Sequence, residues 1–268
     1  SATDQPFFAV YSPIAGHHPY RTPGPRQEPF GDKAEFDHYR NDLYAGDLAL
    51  GRILEGLQSR GLFERTLFMV VGDHGEAFAQ HPGNFAHTLY LYEENVRVPF
   101  IVRHPDVRGG GTTQALGSAI DLVPTLLGFA GLSDAARAEK YPALKGVSLV
   151  PAVQDTQART ARDARGHLYD YSTTLYADPD AVKAMMRGHE NVTWWNVFKE
   201  EAKRGHFGPV LTNRALFRGV LDGRYKFARY FAPSQHHIPK DWEMLRKYND
   251  LELYDTQADP DEIVNLAA

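Results

Sequence analysis

The feature that most constrains this chain is Leu67-Phe68-Met69-Val70-Val71-Gly72-Asp73-His74-Gly75-Glu76, an apolar run that ends abruptly in a carboxylate and an imidazole. Consecutive apolar residues bounded by Gly72 predict a strand buried on both faces, of the kind found in a parallel sheet covered by helices. In open α/β sheets the crevice beyond the carboxyl ends of the strands is where sites are built, which puts Asp73 and His74 in a reaction zone. Gly72 and Gly75 permit the tight backbone that turns two neighbouring side chains toward one ion. The residues alone leave a second reading open, in which Asp73 caps a following helix while His74 packs or hydrogen-bonds.

Around that strand the chain alternates between strand and helix signals. Residues 7–12 predict a first strand, followed by a Pro-rich loop through Gly31. Asp32 and Glu35 resemble a capping box. Phe36, Tyr39, Leu43, Leu50, Ile53, Leu54 and Leu57 then fall at helical spacing, and Gly61 is placed to end the helix. This helix is expected to cross over between parallel strands. A helix near 88–95, a strand at 98–103 and a helix over 121–130 stopped by Gly131 continue the rhythm. The alternation predicts an α/β fold with a mostly parallel sheet flanked by helices.

After Pro151 the texture changes. Residues 152–212 read as a polar, irregular insert with helices at 179–187 and around 195–204. Trp194 and Trp195 there either anchor the insert or line a substrate cleft. From Ala215 the pattern is β: Leu216 to Leu221, an Asp222-Gly223 turn, then Arg224 to Tyr230, a hairpin signal that a strand around Leu251 to Tyr254 can join. The expected division is a core over 1–151, the insert over 152–212 and a small antiparallel subdomain over 213–268.

Composition narrows the function classes. With 268 residues and a hydrophobic fraction of 43%, the chain can bury a sizeable core. A net charge of −5 with interspersed signs offers no basic face to a nucleic acid. The longest apolar runs fall far short of the roughly 20 residues needed to cross a bilayer. The absence of cysteine rules out disulfides and cysteine-ligated metals.

Further motifs surround Asp73-His74-Gly75-Glu76. Downstream stand His81, His87 and Leu91-Tyr92-Glu93-Glu94-Asn95-Val96-Arg97-Val98-Pro99-Phe100-Ile101; upstream, Pro6 to Tyr11 runs into His17-His18-Pro19-Tyr20. Later come Asp121-Leu122-Val123-Pro124-Thr125-Leu126-Leu127, Gly146-Val147-Ser148-Leu149-Val150-Pro151 and Asp222-Gly223-Arg224-Tyr225-Lys226-Phe227. The end carries Glu252-Leu253-Tyr254-Asp255, Asp259-Pro260-Asp261-Glu262 and Asn265-Leu266-Ala267. In this order, over nearly the whole chain, the motifs resemble those of the sulfatases of the alkaline-phosphatase superfamily.

The resemblance implies an alkaline-phosphatase-like fold and a sulfuric ester hydrolase, with Asp73 and His74 as metal ligands. His17 and His87 are then expected to approach the transferred group or the leaving oxygen, as catalytic and substrate-binding residues. His81 matches a family histidine with different neighbours, Gln80 and Pro82, so a substrate contact and a supporting role both stay open. Glu93-Glu94 and Asp259-Asp261 read as capping or solvated charges, and the His236-His237 pair as no more than an adventitious metal site. The metal implied is Ca²⁺; the imidazole of His74 suits Mn²⁺ or Zn²⁺ better, as in phosphate- and phosphonate-cleaving relatives, so phosphate esters are the alternative substrate. No organic cofactor is implied.

The family's nucleophile and further metal carboxylates lie ahead of the His-x-Pro-Tyr segment. Thr22-Pro23-Gly24-Pro25-Arg26 reads as a loop rather than a nucleophile element. The chain is therefore read as the C-terminal part of a sulfatase-like enzyme, expected to depend on an N-terminal half of the same protein for its nucleophile. A periplasmic, extracellular or membrane-anchored parent acting on a glycan, lipid or small-molecule ester is expected. A noncatalytic binding or scaffold remnant is the reading of different class.

Overall fold

The computed structural model describes residues 5–21, 27–87, 90–172, 216–231 and 239–268. The expected helices at 179–187 and 195–204, Trp194, Trp195, the His236-His237 pair and the Thr22–Arg26 loop lie outside the described residues. The chain divides into two compact units, Ser1–Thr66 and Leu67–Ala268.

The first unit is built on α1 (Glu35–Gln58). The helix starts two residues later than an Asp32 cap predicts: Ala34 is the N-cap, and the Asp37 carboxylate accepts the Ala34 N–H at 3.2 Å. Glu35 and Asp37 in the first turn suit the positive end of the helix dipole. Gly61, at φ +63°, ends it as expected, with Gly61 N donating to Gln58 O and Leu62 N to Leu57 O, both at 2.9 Å. The face turned inward is more polar than the spacing of apolar residues predicts: Asn41 and Asp42 are fully buried, whereas Phe36 and Leu43 are largely exposed. Asn41 accepts Phe30 N at 3.1 Å and donates to Gly31 O at 2.5 Å; Asp42 accepts Gly16 N at 2.7 Å. A buried polar side chain needs such partners, and here the backbone of the preceding loop supplies them.

Residues 7–12 form no strand, and Phe7, Phe8, Val10 and Tyr11 are all more than half exposed. An apolar run becomes a strand only where a neighbouring strand takes up its backbone groups.

In the second unit, β1 (Phe68–Val71) is followed by two very short strands, β2 (Ala77–Phe78) and β3 (Phe85–Ala86), a one-turn helix α2 (Glu93–Val96) and β4 (Phe100–Arg103). β1 pairs with β4 antiparallel, Phe68 opposite Arg103 and Val71 opposite Phe100. All described strand pairs are antiparallel, which corrects the mostly parallel sheet expected from the alternation. A parallel pair needs a crossover that carries the chain back along the full strand, usually on a helix. Between Val71 and Phe100 the described residues hold the short β2–β3 ribbon and the single turn of α2 rather than a crossover helix, and β4 returns alongside β1 in the opposite sense. All four residues of β1 are accordingly half-buried rather than enclosed on both faces.

Next come α3 (Leu122–Phe129), α4 (Asp134–Lys140), α5 (Val150–Gln154) and α6 (Ala161–Arg165). Fully buried Asp121 ties this segment together. Its carboxylate accepts Ser118 N at 3.0 Å and Val147 N at 2.8 Å, and takes the Arg162 guanidinium on both oxygens at 2.5 and 3.0 Å. Thr125 donates its hydroxyl to Asp121 O at 2.7 Å and accepts Leu149 N at 2.9 Å.

The last element group is a four-stranded antiparallel sheet in the order β5 (His167–Ser172), β6 (Leu216–Leu221), β7 (Tyr225–Phe231), β8 (Asn249–Asp255), with α7 (Trp242–Tyr248) between the last two. The β6–β7 hairpin and the joining of β8 agree with the sequence pattern. Asp222 closes the turn by accepting Tyr225 N at 2.8 Å and Arg224 N at 3.0 Å, and these bonds lower its pKa. The strand at 167–172 arises inside the stretch expected to be irregular; its partner β6 lies far along the chain, so no local pattern announces the pairing. Phe217, Ala228 and Tyr230 of this sheet pack with Leu91, Tyr90 and Val96. Among the described residues no single helix is long and apolar enough to cross a membrane.

Candidate metal and anion site

β1 delivers its last residues to a turn held from two sides. Gly72 N donates to Pro99 O at 3.1 Å, and Gly75 N to Asn95 O at 2.8 Å. Gly75 leaves no room for a side chain: a Cβ there would stand 2.1 Å from Glu94 O. The turn between these anchors carries Asp73 and His74 outward from the strand end, and both are exposed.

The two side chains face one another, with Asp73 Oδ2 and His74 Nε2 3.7 Å apart. Asp73 Oδ1 accepts His74 N at 3.0 Å. His74 Nδ1 lies 2.9 Å from Gly75 O, and because a carbonyl only accepts, Nδ1 carries the proton. Nε2 is then the nitrogen with the lone pair, on the side of the Asp73 carboxylate. Metal-ligating histidines are commonly oriented in this way, through a backbone carbonyl on the other ring nitrogen.

Asp73 and His74 thus fit a divalent cation as one carboxylate and one imidazole ligand. Among the described residues no group of three or more His, Cys, Asp or Glu side chains forms a metal cage. A carboxylate with an imidazole accommodates a hard or borderline ion and does not choose between Ca²⁺, Mn²⁺ and Zn²⁺.

His87 stacks on His74, ring centroids 3.7 Å apart and planes 22° from parallel. It arrives there through the β2–β3 ribbon, whose register sets Ala77 opposite Ala86 and Phe78 opposite Phe85. One step beyond the ribbon, Glu76 stands across from His87, and the His87 Nδ1 lies 3.3 and 3.4 Å from the two Glu76 carboxylate oxygens. Glu76 is buried, His87 half-buried. Asp73, His74 and His87 line one open cleft of about 1360 Å³ together with Arg97, Arg108 and Ser118.

His81 takes a different place. It does not line that cleft: its Nδ1 bonds the Glu94 carboxylate at 2.7 Å, its Nε2 lies 3.3 Å from Glu262 O, and its ring stacks on Tyr92 at 3.7 Å. Burial works against the charged ring, yet the hydrogen bond and charge of Glu94 outweigh it and raise the His81 pKa. Burial likewise disfavours the Glu94 carboxylate, but the His81 and Asn84 hydrogen bonds overcome it and lower its pKa.

Around this pair the terminal motif is fastened to the segment after the site. Buried Lys226 bonds Glu93 at 3.0 Å and pairs with Glu262, whose carboxylate accepts Glu93 N at 2.8 Å. Glu252 accepts the hydroxyls of Tyr92 at 3.1 Å and Tyr230 at 2.8 Å. Burial and the Glu252 charge push Tyr254 up to about 12 and raise Tyr230 as well. Glu93 and Glu94, expected as capping or solvated charges, are therefore paired with Lys226 and His81.

His17 belongs to the first unit. It sits in an exposed turn closed by His17 N to Ile14 O at 3.0 Å and Tyr20 N to His17 O at 2.8 Å, with its Nδ1 2.7 Å from His18 O. The bond from Gly16 N to buried Asp42 fixes this turn against α1.

Glu76 and the buried base of the site escaped the sequence reading. Glu76 was legible only as part of a motif; its contact with His87 depends on a ribbon whose strands are too short to show periodicity.

A protein complexed with D-Glucosamine-2-N, 6-O-disulfate, designated BT4656, superposes over 90% of this chain and 39% of its own with a TM-score of 0.56 at 21% identity, a likeness of fold. The family described as Sulfatase matches residues 1–132, and N-sulphoglucosamine sulphohydrolase, C-terminal, matches residues 83–196. The chain belongs to the sulfatase family. An Endo-4-O-sulfatase of Bacteroides thetaiotaomicron is 31% identical over 206 residues, 67% of this chain and 39% of the relative. An N-acetylglucosamine-6-O-sulfatase of the same organism is 30% identical over 145 residues, 51% of this chain. The chain spans 25% to 39% of the length of these relatives.

Proposed function

We propose that the protein is a metal-dependent sulfuric ester hydrolase of sulfated glycans, in which Asp73 and His74 are among the cation's ligands and His87 attends the transferred sulfate. The observation that carries this reading is the His74–His87 stack at 3.7 Å beside the Asp73 carboxylate. It sets a metal-binding imidazole against one suited to holding an anionic oxygen. Hydrolysis breaks the bond between sulfur and the sugar oxygen; the electron pair leaves with that oxygen, which takes a proton, while water supplies the oxygen gained by sulfur.

Asp73 and His74 would hold a divalent cation, which would supply charge neutralisation at the reacting oxygens. His87 would exchange a proton with the reacting oxygen. The nucleophile is assigned, as the sulfatase motif order implies, to sequence ahead of the His-x-Pro-Tyr segment. The glycan preference rests on the N-acetylglucosamine-6-O-sulfatase and Endo-4-O-sulfatase relatives.

The test is release of inorganic sulfate by the full-length protein from 6-O-sulfated N-acetylglucosamine and an aryl sulfate, with an aryl phosphate alongside. Each is assayed after chelation and after restoring Ca²⁺, Mn²⁺ or Zn²⁺. Metal-dependent sulfate release is expected, abolished by Asp73→Ala and reduced by about 10²-fold or more in His87→Ala. Turnover of the phosphate ester alone overturns the sulfate assignment, and no turnover with any metal leaves a binding scaffold.

A further inference from the structure

We infer that Glu76 is a positioning residue that sets the tautomer and ring plane of His87, an inference that rests on the placing of His87 at the sulfate under the proposed function. The chain of observations begins in the backbone. The β2–β3 register, Ala77 opposite Ala86, puts residues 76 and 87 across from one another at the open end of the ribbon. Side chains directly opposite in such a pair stand close enough to interact. Glu76 uses that proximity: its carboxylate is 4% exposed, and both of its oxygens face His87 Nδ1 at 3.3 and 3.4 Å.

A buried carboxylate needs a donor, and the nearest imidazole nitrogen provides one. An ionised carboxylate only accepts, so Nδ1 of His87 carries the proton and Nε2 is left as its basic nitrogen. The contact is shared between the two carboxylate oxygens. The opposite constraint is the His74 ring, stacked 3.7 Å away. His74 is in the same tautomer for a parallel reason, its Nδ1 proton being given to Gly75 O at 2.9 Å. The tetrapeptide Asp73-His74-Gly75-Glu76 therefore supplies a cation ligand pair and also the acceptors that orient both imidazoles. Its fourth residue acts through a histidine eleven positions downstream.

Glu76→Leu removes the acceptor at similar size, and Glu76→Gln keeps a carbonyl oxygen able to accept the same proton. The primary readout is the ring ¹⁵N spectrum of His87 in the full-length, metal-free protein, labelled at histidine and assigned by the resonance missing from His87→Gln. The wild type and Glu76→Gln are expected in the Nδ1–H form, whereas Glu76→Leu shifts His87 toward the Nε2–H form. The activity readout is kcat/KM for the sulfate ester, expected to fall about 10–100-fold in Glu76→Leu, with Glu76→Gln close to wild type.

An unchanged His87 tautomer in Glu76→Leu overturns the inference whatever the activity. A lost Nδ1–H tautomer with wild-type turnover supports Glu76 as the orienting group and instead removes His87 from the proposed reaction. Circular dichroism and binding of Mn²⁺ by the variant separate these results from unfolding: a folded variant with wild-type Mn²⁺ affinity is expected, and a variant that unfolds is replaced by Glu76→Gln with its tautomer as the deciding measurement. In that case the Nε2–H form in Glu76→Gln overturns the inference and the Nδ1–H form supports it.

Discussion

Replacing Lys226 by methionine tests whether the terminal motif is a structural clamp on the segment that follows the site. The ammonium is 2% exposed and is held by two carboxylates, Glu93 at 3.0 Å and Glu262, whose side chain is wholly buried. Charge-assisted hydrogen bonds are worth about 1.5–3 kcal/mol each, so losing two removes roughly 3–6 kcal/mol. An independent estimate agrees: removing one partner of a buried pair destabilises by about 3–5 kcal/mol, because the other charge stays buried without compensation.

Lys226→Met is therefore expected to lower stability by about 3–5 kcal/mol at pH 7, measured by urea unfolding of the full-length protein followed by fluorescence. The stranded carboxylate gives the effect a direction in pH. Burial already raises the Glu262 pKa, with Lys226 pulling against it. Without Lys226 the folded-state pKa rises further above the unfolded one, so the folded variant binds more protons than the unfolded chain and gains stability as pH falls. The deficit should narrow between pH 7 and pH 5, and Lys226→Met with Glu262→Gln should recover part of it at pH 7. A loss below about 1 kcal/mol, as for an exposed ion pair, with no pH dependence refutes the clamp.

His81 makes a pH-dependent contribution of opposite origin. Its folded pKa is raised above 6.5, so its stabilisation is complete below 6.5 and is lost as pH rises through the folded value; His81→Gln should flatten stability over that window in a titration of unfolding midpoints. Glu94, lowered from 4.5, contributes above 4.5 and loses that contribution as pH falls through its folded value, so Glu94→Gln should flatten the acid limb. Gly75→Ala drives a Cβ to 2.1 Å from Glu94 O and should destabilise by about 1–3 kcal/mol or more, read as a drop in Tm together with weakened metal binding. Asp121→Ala strands the buried Arg162 guanidinium and should cost about 3–5 kcal/mol in urea unfolding. Asp73→Ala should weaken Mn²⁺ binding at least tenfold, about 1.4 kcal/mol, by calorimetry while leaving unfolding in chelator unchanged.

Local chemistry was enough to place several parts of this protein. An apolar run with Gly72 and Gly75 at its end located the turn bearing Asp73 and His74, because strand, break and ligand residues are contiguous and their geometry is set by nearest neighbours. Gly61 and Gly131 marked helix ends, since the left-handed conformation they adopt is costly for other residues. Asp222-Gly223 marked the hairpin for the same kind of reason. The family motifs carried the sulfatase assignment along nearly the whole chain.

Tertiary structure decided what depends on partners distant in sequence. Strand direction was not legible: an apolar strand has the same composition beside a parallel or an antiparallel neighbour, and only the folded chain shows β4 running back along β1. The run at 7–12 has the pattern of a strand and forms none, because pairing is a property of two segments. Charge roles diverged in the same way. Glu93 and Glu94 look like capping or solvated charges one by one, yet folding brings Lys226 to Glu93 from more than a hundred residues away and His81 to Glu94 from thirteen. Glu76 gained its partner through a ribbon with only two residue pairs. A sequence states which groups are available and how the backbone bends near them; which charge meets which is settled when the chain closes on itself, since the favourable contact exists only after water has been removed from both partners.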